Sequence, residues 1–209
     1  LKDAAKSLTE LGIPVLLVNP ESPDQLSDMI SLIATATNTQ DKADQLLDFI
    51  NQEKKMLTTS LATADDTPNI YLAGNSSLLS TAGPAMYQSG IIELAGGKNV
   101  ASDISDTYWA EISYEQLLSW DPDYIILASD AEYTVDDVLS DPNLKDCTAV
   151  KNNHVYAIPG DIEALDSPVP ASILASIWLA GILHPDQVST DTYTKEMNSF
   201  YETFYGIKK

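Results

Sequence analysis

Residues 154–185, H-V-Y-A-I-P-G-D-I-E-A-L-D-S-P-V-P-A-S-I-L-A-S-I-W-L-A-G-I-L-H-P, decide the fold. Val155 to Ile158 are strand formers, and Pro159-Gly160 stop them. Ser167-Pro168 has the form of an N-cap followed by proline at the first helical position, so a helix is expected from there. Ile173, Leu174, Ile177, Trp178, Leu179, Ile182 and Leu183 cover nearly the whole surface of that helix, which predicts that it is buried. Its apolar run falls short of the roughly 20 residues that a bilayer crossing needs. Between strand and helix lie Asp161, Glu163 and Asp166. A loop at the C-terminal end of a strand is where an α/β protein meets ligands or partners.

The same texture runs upstream. Residues 69–73 and 124–128 (N-I-Y-L-A and Y-I-I-L-A) read as strands, the second a buried one. Helices are expected between them. One starts at Pro84 and ends at Gly96-Gly97; one opens on the capping box Ser113-Tyr114-Glu115-Gln116; a short one covers 134–139. After the long helix, Thr190 caps a final helix with Tyr193, Met197, Phe200, Tyr201 and Phe204 on one face, ended at Gly206. Strand–helix alternation of this kind predicts an α/β fold: a three-layer lobe with a mainly parallel sheet and helices on both sides.

Residues 25–64 differ, because no strand pattern interrupts them. Ser22-Pro23-Asp24-Gln25 is a capping box with proline at N1, and Leu26, Met29, Ile30 and Ile33 mark one face of the helix that follows. Ala43, Leu46, Leu47, Ile50, Leu57 and Leu61 then hold a helical period over residues 41–62, a rod roughly 30 Å long. A polar, proline-containing stretch at 64–68 marks a boundary. Before all this, residues 13–18 (I-P-V-L-L-V) form a continuous apolar run after Gly12, expected to be a buried parallel strand.

The 209 residues carry 31 acids against 11 basic residues, a formal charge of −20, and every basic residue is a lysine. That balance argues against nucleic acid as a partner, since binding it needs a basic footprint. Without arginine the chain offers no bidentate fork to phosphate or carboxylate. Cys147 is the single cysteine, which rules out an internal disulfide.

Candidate chemistry is sparse. The stretch 74–83 (G-N-S-S-L-L-S-T-A-G) follows a strand and precedes a helix, yet matches neither dinucleotide nor P-loop patterns. It reads as a loop lining a cleft, with Ser80 and Thr81 able to donate hydrogen bonds to a ligand. Tyr108-Trp109, in a non-periodic segment, and Tyr133, after a strand, suit stacking on a flat ligand as well as they suit packing on the core. Tyr87, Trp120 and Trp178 read as packing residues. His154 and His184 lack metal spacing and read as structural. No nucleophile motif is present, and no catalytic or metal-ligating residue or bound cofactor is assigned. The three carboxylates of 161–166 suit a solvated loop, a dock for a basic partner or a contact to a cationic ligand.

Four stretches in order resemble one family. They are I-I-E-L-A-G-G-K-N-V-A at 91–101, W-A-E-I-S-Y-E-Q-L-L-S-W-D-P-D-Y-I-I-L at 109–127, residues 144–158 ending A-V-K-N-N-H-V-Y-A-I, and the acidic loop and W-L-A helix of 161–186. Together with the helix of 41–62 they are similar to the substrate-binding proteins of ABC importers for iron-siderophores, haem and cobalamin, the class III, helical-backbone type. The resemblance implies two α/β lobes joined by a rigid helix, with ligand held between them. On that pattern residues 1–23 are the tail of an N-terminal lobe, 24–66 the connector and 67–209 the C-terminal lobe. The first lobe would then be largely missing and the chain a C-terminal fragment.

The implied cleft wall is built from residues 76–83, 107–109, 129–133 and 161–166, with Ser80, Thr81, Tyr108, Trp109, Tyr133 and Asp161 on the ligand. Glu163 matches the acidic residue that family members present to permease arginines, and Asp166 is its rival. The implied partners are an ABC permease and a metal chelate, with membrane contact only through the permease or a lipid anchor. The implied location is periplasmic or at the cell surface as a lipoprotein. The alternative is a metal-cofactor-bearing α/β enzyme or oxidoreductase component of related fold.

Overall fold

The computed structural model describes residues 2–104 and 108–208. In chain order the elements are α1 (Lys2–Glu10), α2 (Pro23–Thr37), α3 (Gln40–Leu61), β1 (Asn69–Ala73), β2 (Ser80–Ala82), α4 (Tyr87–Leu94), β3 (Lys98–Asn99), β4 (Trp109–Glu111), α5 (Tyr114–Trp120), β5 (Tyr124–Leu127), α6 (Val135–Leu139), α7 (Thr148–Lys151), β6 (Val155–Ala157), α8 (Ile173–Leu183) and α9 (Thr190–Tyr205). The sheet order is β4-β2-β1-β5-β6, with β3 pairing the first residues of β1. The β1–β3, β1–β5 and β5–β6 pairs are parallel, while β1–β2 and β2–β4 are antiparallel. The sheet is therefore mixed: parallel at its centre, with an antiparallel arm on one side.

That arm corrects the sequence reading. The stretch 74–83, expected to be a loop, contains β2, and Trp109, expected in a loop, opens β4. The S-T-A of β2 has no alternating apolar pattern, so its pairing comes from the ladder to Ala73 and to residues 109–111.

Alternation along the central strands fills two cores. Ile70, Leu72 and Ile126 face the layer made by α3, α4, α8 and α9, whereas Tyr71, Ala73, Ile125, Leu127 and Val155 face α5, α6 and α7. Helix α8 is buried on almost every side, as its composition predicts. Its start is not Ser167-Pro168, however. Residues 167–169 turn, a 3-10 turn spans Pro170–Ser172, and α8 begins at Ile173. Val169 precedes Pro170 and is held extended (φ −112°, ψ 156°), so no helix can run through it.

The caps follow their sequence signals closely. The Ser22 hydroxyl accepts the Gln25 N–H at 3.2 Å with Pro23 at N1, and the Gln25 side chain accepts the N–H of Glu21. Ser113 caps α5, and Thr134 with Asp137 forms a full capping box on α6. Helix α4 starts at Tyr87 rather than at Pro84, and α9 is capped by Ser189, one residue before Thr190. The rod of 41–62 is α3, a 22-residue helix that is unbroken.

One expectation fails outright. Residues 13–18 form no strand, and no strand among the described residues pairs with them. Leu16 is 50% exposed and Leu17 51%.

Candidate functional site

The functional reading turns on the edge of the sheet where β1, β5 and β6 end. Gly74 leaves β1 there and is gripped from several sides. Its N–H donates to the Ser80 carbonyl at 2.7 Å, and the Tyr133 hydroxyl donates to its carbonyl at 2.6 Å. A Cβ on Gly74 would lie 2.9 Å from Cζ3 of Trp109. Absence of a side chain at Gly74 is thus what lets the indole of β4 cross over the end of β1. The fold brings Ser80, Trp109 and Tyr133 together around one residue. Sequence reasoning did not single out Gly74; the signal available was a glycine directly after a strand and before a run of small residues.

Around this point the edge is braced by polar contacts. Asn75 donates through its side-chain amide to Asp130, and the Glu132 N–H donates to the Asn75 carbonyl at 2.8 Å. The loop after β5 is thereby tied to the loop after β1. Burial pushes the Tyr133 phenol well above its ordinary value, so it stays protonated and keeps its bond to Gly74.

The three carboxylates of the acidic loop part ways. Asp161 is exposed. Asp166 is only 3% exposed, and it accepts both the hydroxyl and the N–H of Ser129, clipping the acidic loop to the loop after β5. Gly160 sits against the same serine, where a Cβ would meet the Ser129 Cβ at 3.0 Å. An aspartate in this position holds a loop and has no free face to offer a partner, which removes it as a dock. Glu163 lies between: half-buried against α9, it accepts the Tyr201 hydroxyl at 3.0 Å, and its charge helps to raise the Tyr205 phenol after burial does. Burial first, and then the Glu163 charge, push the Tyr201 phenol up.

Three expected ligand contacts are not presented to a ligand at this edge. Thr81 is fully buried and its hydroxyl donates to the Leu72 carbonyl at 2.7 Å, so it serves the β1–β2 ladder and is turned away from any ligand. Ser80 is also buried. Tyr108 is 53% exposed and lines a separate hollow of about 450 Å³, shared with Glu21, Pro84 and Met86. Thr107, named with the aromatic pair, lies outside the described residues.

The remaining candidates have structural work. Tyr87 shares a 2.6 Å hydrogen bond with Ser172, linking α4 to the approach of α8. His154 stacks on Tyr124 at 4.5 Å, and His184 closes α8 with Nε2 3.2 Å from the Gly96 carbonyl and Nδ1 3.7 Å from Asp66. Trp120 and Trp178 pack half-buried against the two cores. Cys147 is buried, which pushes its thiol up and makes it a poor nucleophile. Among the described residues no three His, Cys, Asp or Glu side chains gather to hold a metal, and no helix is long and apolar enough to cross a membrane.

A layered α/β lobe fronted by a long helix, with its loops collected at the C-terminal edge of the sheet, is the architecture of a binding lobe. The chain belongs to the periplasmic binding protein family, whose model matches residues 1–162. It is similar to the molybdate-binding protein MolA of Haemophilus influenzae, at 26% identity over 96% of this chain and 63% of that protein. It is 31% identical to the vitamin B12-binding protein of Salmonella choleraesuis over 59% of this chain and 46% of that one. A periplasmic solute binding protein from Veillonella parvula superposes with a TM-score of 0.86 at 26% identity, covering all of this chain and 64% of the other. The chain thus spans less than two thirds of the length of these relatives.

Proposed function

We propose that this chain supplies the connector and C-terminal lobe of an extracytoplasmic solute-binding protein, which captures a metal chelate between two lobes and delivers it to an ABC permease. The observation that carries the reading is the convergence of Trp109 and Tyr133 on Gly74, at the edge where the loops after β1, β5 and β6 meet. Trp109 is half-buried and anchored on the core at this edge, and the hydrogen-bonded loops around it are pre-organised, which lowers the entropic cost of binding. The relatives named above are binding proteins, and delivery needs capture and release without turnover. In this reading the protein works in the periplasm or at the cell surface.

Charge narrows the ligand. Molybdate, the ligand in the name of one relative, is an anion. None of the eleven lysines falls in the loops 74–79, 128–134 or 159–169, while Asp130, Glu132 and Asp161 stand exposed on them. This wall repels a bare oxoanion and suits an iron-siderophore, haem or cobalamin-type chelate whose bulk is organic. Titrating the full-length protein with cyanocobalamin, haem and ferric hydroxamate, read by tryptophan fluorescence, tests this. Saturable quenching that weakens on Trp109→Ala is expected, and no response to any of the three overturns it.

Glu163 is the proposed contact to permease arginines, its carboxylate held in one pose by Tyr201. Glu163→Ala is expected to cut permease-dependent uptake about tenfold, the scale of a lost charge-assisted pair, with ligand affinity nearly unchanged. Unchanged uptake removes the docking role from this residue.

A further inference from the structure

Away from the sheet edge, the helical layer contains a second concavity. It is an open pocket of about 470 Å³ between α2, the first turns of α3 and the last turn of α9. That volume lies within the roughly 300–1,000 Å³ typical of small-molecule sites. Its floor is apolar: Met29, Ile30 and Ile33 from α2, Leu46 from α3 and Phe204 from α9. Ile33 is 41% exposed, so part of this floor lies open to water.

The rim carries a cation and no carboxylate. Acids outnumber basic residues 31 to 11 in the chain, yet the residues lining this pocket include Lys42 and no aspartate or glutamate. Lys42, like Lys2, Lys6, Lys55, Lys98 and Lys145, makes no ion pair among the described residues, so its ammonium is not neutralised by a carboxylate of the chain. The amide of Gln45 and the hydroxyl of Thr203 lie on the same lining. An apolar floor with a single cation and neutral donors on its lining is complementary to a linear apolar body ending in an anionic head.

We propose that this pocket binds a monomeric amphiphile of the medium-chain carboxylate class, its chain lying along Ile30, Ile33 and Phe204 and its carboxylate at Lys42. The site is distinct from the loops around Gly74 and does not depend on the transport reading. A ligand here would touch α2, α3 and α9 at once, and so would stiffen the connector against the lobe.

Isothermal titration of the full-length protein with hexanoate, octanoate and decanoate below their micellar concentrations tests the assignment. Saturable one-to-one binding is expected, tightening about fourfold for each methylene added, with decanol weaker than decanoate. Lys42→Gln should remove about threefold of the preference for decanoate over decanol, in keeping with an exposed ion pair. Ile33→Trp, at an exposed position that the fold tolerates, should fill the pocket and abolish binding without lowering the Tm. Binding unmoved by both variants, or equal affinity for decanol and decanoate, overturns the proposal. So does co-sedimentation with phosphatidylglycerol vesicles without binding of the monomers, which would make the face a lipid-surface contact. A dimer dissolved by Ile33→Trp and not by decanoate would assign the groove to a second copy of the chain and equally overturn it.

Discussion

Two apolar runs of this chain read alike and fold differently. I-P-V-L-L-V at 13–18 and Y-I-I-L-A at 124–128 both have the composition of a buried parallel strand. The second forms β5, paired on one side with β1 and on the other with β6, and Ile125 and Ile126 are fully buried. The first pairs with nothing, and Leu16 and Leu17 stay about half in water. An apolar run in a sheet protein states a demand for neighbours, and only the ladder on each side meets it. Among the described residues those neighbours exist for one run alone.

Truncating a side chain in each run gives the widest separation. Ile126→Ala empties a site in the core between β5 and α8, and its cost is expected near 2–5 kcal/mol by urea denaturation. Leu17→Ala removes atoms already half-solvated and should cost under about 0.5 kcal/mol. Comparable losses at the two positions would mean that residues 13–18 are packed in solution, and the contrast would collapse.

Two glycines sharpen the same contrast at lower amplitude. Gly12 and Gly96 have nearly the same left-handed backbone, φ +79° and +81°. A Cβ at Gly12 meets nothing within 4 Å, whereas at Gly96 it would lie 2.7 Å from His184 Nε2 and 3.3 Å from Leu61. Both substitutions carry the left-handed penalty of about 1–2 kcal/mol. Gly96→Ala must also displace a buried imidazole that closes α8, so its total is expected near 3 kcal/mol. Gly12→Ala meets no neighbour and should cost the backbone penalty alone, about 1–2 kcal/mol. Denaturation of the two variants side by side separates backbone strain from steric conflict.

How much was legible follows the same division between local and tertiary causes. Helix α3 was readable because its apolar period runs for six turns, and the starts of α2 and α5 because Ser22-Pro23 and Ser113 carry their caps in the adjacent residues. Strands β1, β5 and β6 were readable from β-branched and aromatic runs bounded by polar breaks. The antiparallel arm was not, since nothing in S-T-A announces a ladder. The site was legible as a region but not as a geometry. The loops around Gly74 could be named, yet the inward turn of Thr81 and the burial of Asp166 depend on what lies opposite them, Leu72 in one case and Ser129 in the other. Asp161, Glu163 and Asp166 are the same chemistry in sequence and have three different surroundings in space.

The smallest effect concerns the inverse of Leu17: a carboxylate on a core-facing stripe. Glu53 lies between Ile50 and Leu57 on the buried side of α3 and is 9% exposed. Burial raises its pKa first, the neighbouring Glu196 raises it further, and Lys195 offsets part of this. The folded state therefore holds the Glu53 proton more tightly than the unfolded chain does. Its contribution is favourable at pH values below the unfolded glutamate range and is lost as pH rises through the raised folded value. Glu53→Gln keeps the shape and never ionises. Its Tm should exceed that of the parent at pH 7, with the difference shrinking to nothing as the pH falls below about 4, where the unfolded glutamate also binds its proton. A variant less stable than the parent at pH 7 would instead make the ionised Glu53 a favourable partner of Lys195. In that case the charged stripe would be as well provided with neighbours as the strand at 124–128.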